Sequence, residues 1–295
     1  MNILIAKLGA TGDVVRTTAL LRRLSGDVTW ITAAKNAVLL QNLQPAVRCF
    51  TWEQRAGALD RTYDLAINLE DTTDVAEFVR SAAPRRTFGA YLEGAALRYT
   101  PDAHRWFDLS LISVHGKQRA DALKLANRHT YQELIFDGLG FAFAGERYVM
   151  PPAPDTGLHG DVAIASESGA VWPMKKWAYY ADLQRALEAE GLRVNVLPQR
   201  ATLLEHLGDV AGHRCLVGGD SLPMHLALGV GTPCVSIFTC TSPWEIYEYG
   251  IMRKLVSPLL EEFFYRRDFQ ERATTAISMD EVLRAVRAQL TVPRG

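Results

Sequence analysis

The chain has 295 residues, 48% hydrophobic and 22% charged, and its 32 Lys and Arg nearly balance 33 Asp and Glu for a formal net charge of −1. That balance excludes a broadly basic nucleic-acid binder, ordinary Gly and Pro contents exclude collagen-like and low-complexity classes, and no apolar run reaches the ~20 residues of a membrane span. A length near the limit for a single core predicts two domains.

Met1 leads straight into Asn2-Ile3-Leu4-Ile5-Ala6, without the basic, apolar and small-residue order of a signal peptide, so a cytoplasmic protein is expected. Cys49, Cys215, Cys234 and Cys240 are scattered without a CxxC or a metal-ligand spacing and read as structural thiols. Asn2–Leu8 is an apolar strand candidate. Val14–Leu24 follows with Val14, Thr17, Leu20, Leu21 and Leu24 at helical spacing. Val28–Thr32 is β-branched and aromatic, Lys35–Leu43 is helical, and Val47–Thr51 and Leu65–Leu69 are further strands. Short strands alternating with helical stretches predict a parallel sheet covered on both faces. Residues 89–145 differ: they are rich in aromatic and basic side chains, with a helix expected over Gln118–Phe136. Pro151, Pro152 and Pro154 then forbid a helix and mark the domain boundary.

Beyond it the alternation restarts, with strands at Asp161–Ala165, Arg193–Leu197, Cys215–Val217 and Pro233–Phe238. Helices are expected at Trp177–Glu190, ended by Gly191, at Ser221–Gly229, and at the terminal Met279–Leu290 with its acidic first turn.

Three clusters fall at strand ends, where open parallel sheets bind ligands. Lys7-Leu8-Gly9-Ala10-Thr11-Gly12-Asp13 joins the first strand to the first helix; its GxxGD spacing is neither the dinucleotide nor the P-loop fingerprint. Asp13 there is either a first-turn helix carboxylate or a general base, weakened by the helix terminus yet able to take a proton from an alcohol in a late transition state. Gly218-Gly219-Asp220-Ser221-Leu222-Pro223-Met224-His225 repeats the design, and the free N–H groups of the helix start suit a diphosphate. The alternative is a simple cap by Asp220 or Ser221 with His225 packed inward. Lys175 and Lys176, between Trp172 and Trp177, belong either to a solvated loop or to a phosphate contact. Thr239-Cys240-Thr241-Ser242-Pro243 supplies hydroxyls after the next strand, with turn chemistry as the simpler role.

Taken together, Ile3 to Thr18, Lys175-Lys176-Trp177, Gly219 to Ala227, Gly231-Thr232-Pro233 and Thr241-Ser242-Pro243 resemble glycosyltransferase family 9, the ADP-heptose heptosyltransferases, over nearly the whole chain. The resemblance implies an α/β GT-B fold, two Rossmann-like parallel-sheet domains facing across a cleft. Residues 1–152 would bind the acceptor and 153–295 the nucleotide-sugar, with the last helix able to pack back on the first domain. It implies an inverting, metal-independent transfer of heptose from ADP-heptose to a lipopolysaccharide core sugar, a protein or a small molecule, with no cofactor. Carried over by residue, Asp13 is the base, Lys175 the phosphate contact, and the donor set comprises Gly9, Thr11, Gly12, Ser166, Lys175, Asp220, Ser221, Leu222, Pro223, His225 and Thr241. No nucleic-acid partner is expected, and peripheral association with the inner membrane is compatible with a lipid-linked acceptor. Where similar members carry clustered cysteines, Leu260–Phe269 has none, so no metal reading is made there. No DxD occurs either. Arg98, Arg105, His115, Lys117 and Arg119 are expected to meet a polar or anionic acceptor, against the plainer reading of a solvated helical face. The rival functions are a nucleotide-sugar epimerase or hydrolase on the same scaffold, and a degenerate nucleotide-sugar-binding protein.

Overall fold

A computed structural model describes residues 1–294, which divide into two compact units, Met1–Pro151 and Pro152 onward. In the first unit β1 (Asn2–Ala6), β2 (Asp27–Thr32), β3 (Arg48–Thr51), β4 (Leu65–Asn68), β5 (Arg86–Glu93) and β6 (Ala96–Tyr99) form one six-stranded sheet in the order β3-β2-β1-β4-β5-β6. All neighbours pair in parallel except β6, which returns antiparallel against β5 through a turn with Gly94 at φ 62. Central β1 is covered on both faces: Ile3, Leu4, Ile5 and Ala6 are wholly buried, as an uninterrupted apolar run in a parallel sheet requires.

The helical segments of this unit are α1 (Thr11–Thr17), α2 (Thr73–Ser81), α3 (His104–Phe107), α4 (Lys117–Ala126) and α5 (Tyr131–Gly138). Two expectations are corrected by local hydrogen bonding. The helix expected over Val14–Leu24 is α-helical only to Thr17 and tightens into a 3₁₀ turn over Thr18–Arg22. There the Thr17 hydroxyl donates to Asp13 O and the Thr18 hydroxyl to Val15 O, back-bonds that compete with the regular ladder. The single helix expected over Gln118–Phe136 is two, because Thr130 and Glu133 form a reciprocal capping box that starts α5 afresh. The Lys35–Leu43 helix is likewise a 3₁₀ segment, Ala34–Leu40.

In the second unit β7 (Gly160–Ala165), β8 (Val194–Val196), β9 (His213–Gly219), β10 (Cys234–Phe238) and β11 (Met252–Val256) form a sheet ordered β11-β10-β9-β7-β8, parallel throughout. Its helices are α6 (Tyr180–Ala189), α7 (Leu203–Ala211), α8 (Leu222–Val230), α9 (Leu260–Phe263), α10 (Glu271–Thr275) and α11 (Met279–Gln289). The apolar stripe of α11 (Val282, Leu283, Val286) enters the core of this same unit against β9, β10, β11 and α6. Helix α6 begins at Tyr180 and not at Trp177 because the Trp177 ring is a core residue, 1% exposed. It stacks edge-on to Tyr180, and its indole N–H donates to Ile277 O at 2.8 Å. The four cysteines are free thiols, three of them buried, and burial raises Cys49 to about 11 and Cys234 to about 12. No described helix is long and apolar enough to cross a membrane.

Trp177→Ala is expected to destabilise the protein by ~3–5 kcal/mol through the cavity it leaves. Trp177→Phe, which keeps most of the ring but orphans the Ile277 carbonyl, should cost ~1–3 kcal/mol. Urea unfolding of both variants measures this.

Candidate functional site

In each sheet the chain runs outward from a central strand first one way and then the other. The reversal lies between β1 and β4 in the first unit and between β7 and β9 in the second. Loops leaving the carboxyl ends of such strand pairs diverge and leave a crevice. Both crevices hold the residues singled out in the sequence.

In the first unit a cavity of about 230 Å³ lies at that point, lined by Lys7, Gly9 and Asp13 from the β1 side and by Leu69, Glu70 and Asp71 from the β4 side. Trp106, Ser110 and Lys124 of the 89–145 segment complete it. Glu70 organises the loop: it accepts from Leu8 N–H at 2.8 Å and Gly9 N–H at 3.3 Å and pairs with Lys7 Nζ at 2.9 Å. Asp13 Oδ1 lies 2.8 Å from Arg16 Nη2, with the Asp13 side chain about one-third exposed and Arg16 buried. The Arg16 guanidinium stacks over the rings of Tyr131 (4.0 Å) and Trp106 (5.5 Å). Gly12 and Asp13 lie in the first turn of α1 with Ala10 at the N-cap, so Asp13 is not the cap but is a first-turn helix carboxylate, the plainer of its two readings, and it lines the cavity as well. Thr11 is turned inward: its hydroxyl donates to Asn36 Oδ1 at 2.7 Å, and Asn36 in turn donates to Leu8 O. Thr11 therefore braces the loop and does not line the cavity.

In the second unit the loop after β7 reaches Lys175 through a 3₁₀ turn (Pro173–Lys175), and the loop after β9 delivers Asp220. Lys175 Nζ donates to Asp220 Oδ2 at 2.9 Å and to Asp220 O at 2.7 Å, and the Thr241 hydroxyl donates to the same Oδ2 at 2.7 Å. Lys175 is thus part of neither a solvated loop nor an unpartnered cation; it is a fixed charge in a polar cluster. Burial would raise the Asp220 carboxyl, but the charges of Lys175 and His225 and the bonds from Lys175 and Thr241 bring it down to about 2. His225 is buried one turn along α8. Ser221 stands at the N-cap of α8 without a side-chain cap bond, its hydroxyl 3.4 Å from Gly219 O. Ser166, Ser221, Leu222 and Pro223 line a cavity of about 430 Å³ together with Arg200 and His206. Lys176, by contrast, is an exposed residue paired with Glu167.

Close approach makes the glycines necessary. A Cβ on Gly219 would sit 2.7 Å from Lys175 O, and one on Gly218 3.0 Å from Ala165 Cβ. Thr239, one residue past β10, donates to Met174 O at 2.6 Å and so fixes the lysine loop from the other side.

The five cations expected at the acceptor are not gathered. Arg98 pairs with Glu93, Arg105 with Asp137, His115 with Asp108 and Lys117 with Asp121, while Arg119 is exposed on α4. None of the five lines the Asp13 cavity; the same segment sends Trp106, Ser110 and Lys124 there instead. Glu70, Asp71 and Arg200 had no motif to flag them, although Glu70 and Asp71 follow directly on the strand read at Leu65–Leu69. Among the described residues no group of three or more His, Cys, Asp or Glu is placed to hold a metal ion.

The family model described as glycosyltransferase family 9 (heptosyltransferase) matches residues 182–261, the stretch that contains Asp220, His225 and Thr241. The fold is shared with a family 9 glycosyltransferase from Veillonella parvula (TM-score 0.70, 15% identity, 98% of this chain and 97% of that one). It is shared too with the E. coli heptosyltransferase WaaC bound to ADP (0.63, 15%, 98% and 100%). A third is the iron-containing dodecameric glycosyltransferase TibC of enterotoxigenic E. coli (0.60, 15%, 98% and 75%). At such identities the likeness speaks for the fold, GT-B. No curated protein sequence matches this chain.

Because the folded-state value of Asp220 is depressed, its contribution to stability is complete above the unfolded value near ~4 and is lost as pH falls toward about 2. Asp220→Asn should therefore cost on the order of 2 kcal/mol at pH 7, and its gap from wild type in urea titrations should narrow as pH falls below ~4. Gly219→Ala should cost ~1–3 kcal/mol, since the contact it creates is with backbone and cannot rotate away.

Proposed function

We propose that this chain is a glycosyltransferase of the family 9 type and that it transfers heptose from ADP-heptose to an acceptor hydroxyl with inversion and without a metal ion. The observation that carries the reading is the Lys175–Asp220–Thr241 cluster at the strand-order reversal of the second sheet, within reach of the first turn of α8. A diphosphate leaving group gathers negative charge on its departing oxygen. A preorganised ammonium and helix-start N–H groups stabilise that charge without reorganising, and such donors are worth ~10²–10³ in rate each. Lys175 has three N–H donors, and Asp220 holds it in place.

The base is Asp13. Its carboxylate lies in the first-unit crevice with room beside it for a hydroxyl-bearing group. The acceptor oxygen attacks the anomeric carbon, the bond from that carbon to the diphosphate oxygen breaks, the acceptor proton passes to Asp13, and ADP leaves with the bonding pair. Attack opposite the leaving group inverts the anomeric configuration. The acceptor is a sugar, protein or small-molecule hydroxyl, and it enters past Trp106, Ser110 and Lys124. The five more distant cations, spent or exposed, take no part in this reading. A cytoplasmic site, with peripheral contact to the inner membrane for a lipid-linked core sugar, fits a chain with no described membrane-spanning helix.

Incubation with ADP-heptose, with and without acceptors of the three classes, separates transfer, free heptose and no reaction. Transfer is the expected product. Asp13→Asn should abolish it (a loss of ~10³ or more) with ADP affinity nearly unchanged. Lys175→Ala should weaken ADP binding and turnover together, and transfer should persist in EDTA. Asp13→Asn activity within tenfold of wild type, or activity lost in EDTA and restored by Mg²⁺ or Mn²⁺, would overturn the corresponding assignment.

A further inference from the structure

A base must be both ionised before reaction and held in one orientation, and Asp13 makes neither arrangement alone. Its carboxylate meets the guanidinium of Arg16, one turn along α1, at 2.8 Å. Arg16 is itself buried, and a buried guanidinium is kept only where its charge is compensated. Here it lies against an edge-on pair of aromatic rings from two separate elements, Tyr131 of α5 at 4.0 Å and Trp106 of α3 at 5.5 Å, whose centroids are 4.8 Å apart. The clamp is tied back to the same turn: the Tyr131 hydroxyl lies 2.6 Å from the Thr17 hydroxyl, which donates to the Asp13 carbonyl. Backbone and side chain of Asp13 are thus both referred to one aromatic wall.

We propose that Arg16 is a positioning residue for the base: clamped by Tyr131 and Trp106, it keeps the Asp13 carboxylate ionised and aimed beside the first-unit cavity. The proposal rests on the reading of Asp13 as base. The other charged groups facing Asp13 do not replace Arg16. Glu70 is committed to Lys7 and to two backbone amides; Asp71 adds a second negative charge across the cavity; Lys124 of α4 lines the far wall. Tyr131 and Tyr148 are neutral phenols, pushed well above their usual range chiefly by burial. An adjacent guanidinium favours the charged form of a carboxylate, and Arg16 stands 2.8 Å from that of Asp13. Lysine is not equivalent, because a planar guanidinium lies against the Tyr131 ring while presenting an N–H edge to the carboxylate.

The test follows Asp13 directly in the full-length protein, by NMR titration of ¹³C-carboxyl aspartate with Asp13→Asn to assign the resonance. Arg16→Gln is expected to raise the Asp13 midpoint by about one unit or more. In ADP release from ADP-heptose it should lower kcat with the donor KM within about twofold, and move the acid limb of the rate profile to higher pH with the carboxylate. Arg16→Lys should restore most of the midpoint and less of kcat. Trp106→Leu, which keeps the charge and removes one wall, serves if Arg16→Gln does not fold: a raised midpoint supports the clamp and an unchanged one overturns it. An unchanged Asp13 midpoint in Arg16→Gln likewise overturns the proposal. The titration needs no turnover, so it is read apart from the base assignment, which fails on its own terms if Asp13→Asn still transfers heptose.

Discussion

The reversal of strand order in each parallel sheet is the constraint on which the functional geometry depends. A parallel strand must be followed by a crossover, and crossovers from adjacent strands that depart in opposite directions cannot pack against each other at the carboxyl edge. In this chain those strands are β1 with β4, and β7 with β9. Asp13, Lys175 and Asp220 are each at most ten residues past the end of one of these four strands, and Thr241 reaches Asp220 from the loop after the neighbouring β10. The sheet itself supplies no reactive group; it fixes where loops have room to hold them.

Both crevices handle charge in the same way. Asp220 and Asp13 are carboxylates to which a cation has been brought, Lys175 at 2.9 Å in one case and Arg16 at 2.8 Å in the other. The cations differ because their surroundings do. Lys175 meets a carboxylate and a carbonyl of one residue, a compact polar target that a point-charge ammonium satisfies. Arg16 lies against an edge-on pair of rings, where a planar delocalised cation loses less hydration and gains stacking on Tyr131. For Lys175 the partner is also a limit: an ammonium already bound to Asp220 offers phosphate a held charge at a held place, which favours the transition state over loose ground-state attraction.

How much of this was legible in the sequence follows from what carries a local signal. Uninterrupted apolar runs placed β1, β7 and β10, and the prolines at 151, 152 and 154 placed the boundary, because burial and a missing N–H act within a few residues. Asp13 and Asp220 stood out because glycines and helix starts surround them, whereas Lys175 stood out only as one of two lysines between Trp172 and Trp177. What was missed depends on pairing across the sheet. Glu70 becomes a site residue only once β4 is known to lie beside β1, and β6 is a strand only because β5 offers it an edge. The expected helix over Gln118–Phe136 failed for a different reason: Thr130-x-x-Glu133 is a restart signal within a stretch whose composition is helical throughout. Four of the five expected acceptor cations face counterions of their own charge-rich segment, Glu93, Asp108, Asp121 and Asp137, a pairing that composition alone does not reveal.

The second-unit site further shows why its motif residues cannot be divided into structural and functional ones. Gly219 lets the β9 loop pass against the Lys175 backbone, and Thr239 holds that backbone through Met174. Trp177, two residues on, anchors the same loop to the core through Ile277. None of the three touches a phosphate in the proposed reaction, yet the position of the Lys175 ammonium is the sum of their constraints. A charge meant to stabilise a transition state works only if it does not have to move, and immobility here comes from close packing of backbone against backbone where no side chain intervenes. The Gly-Gly-Asp and Lys-Lys-Trp sequences are therefore one device, separated in the chain and assembled by the adjacency of β7 and β9.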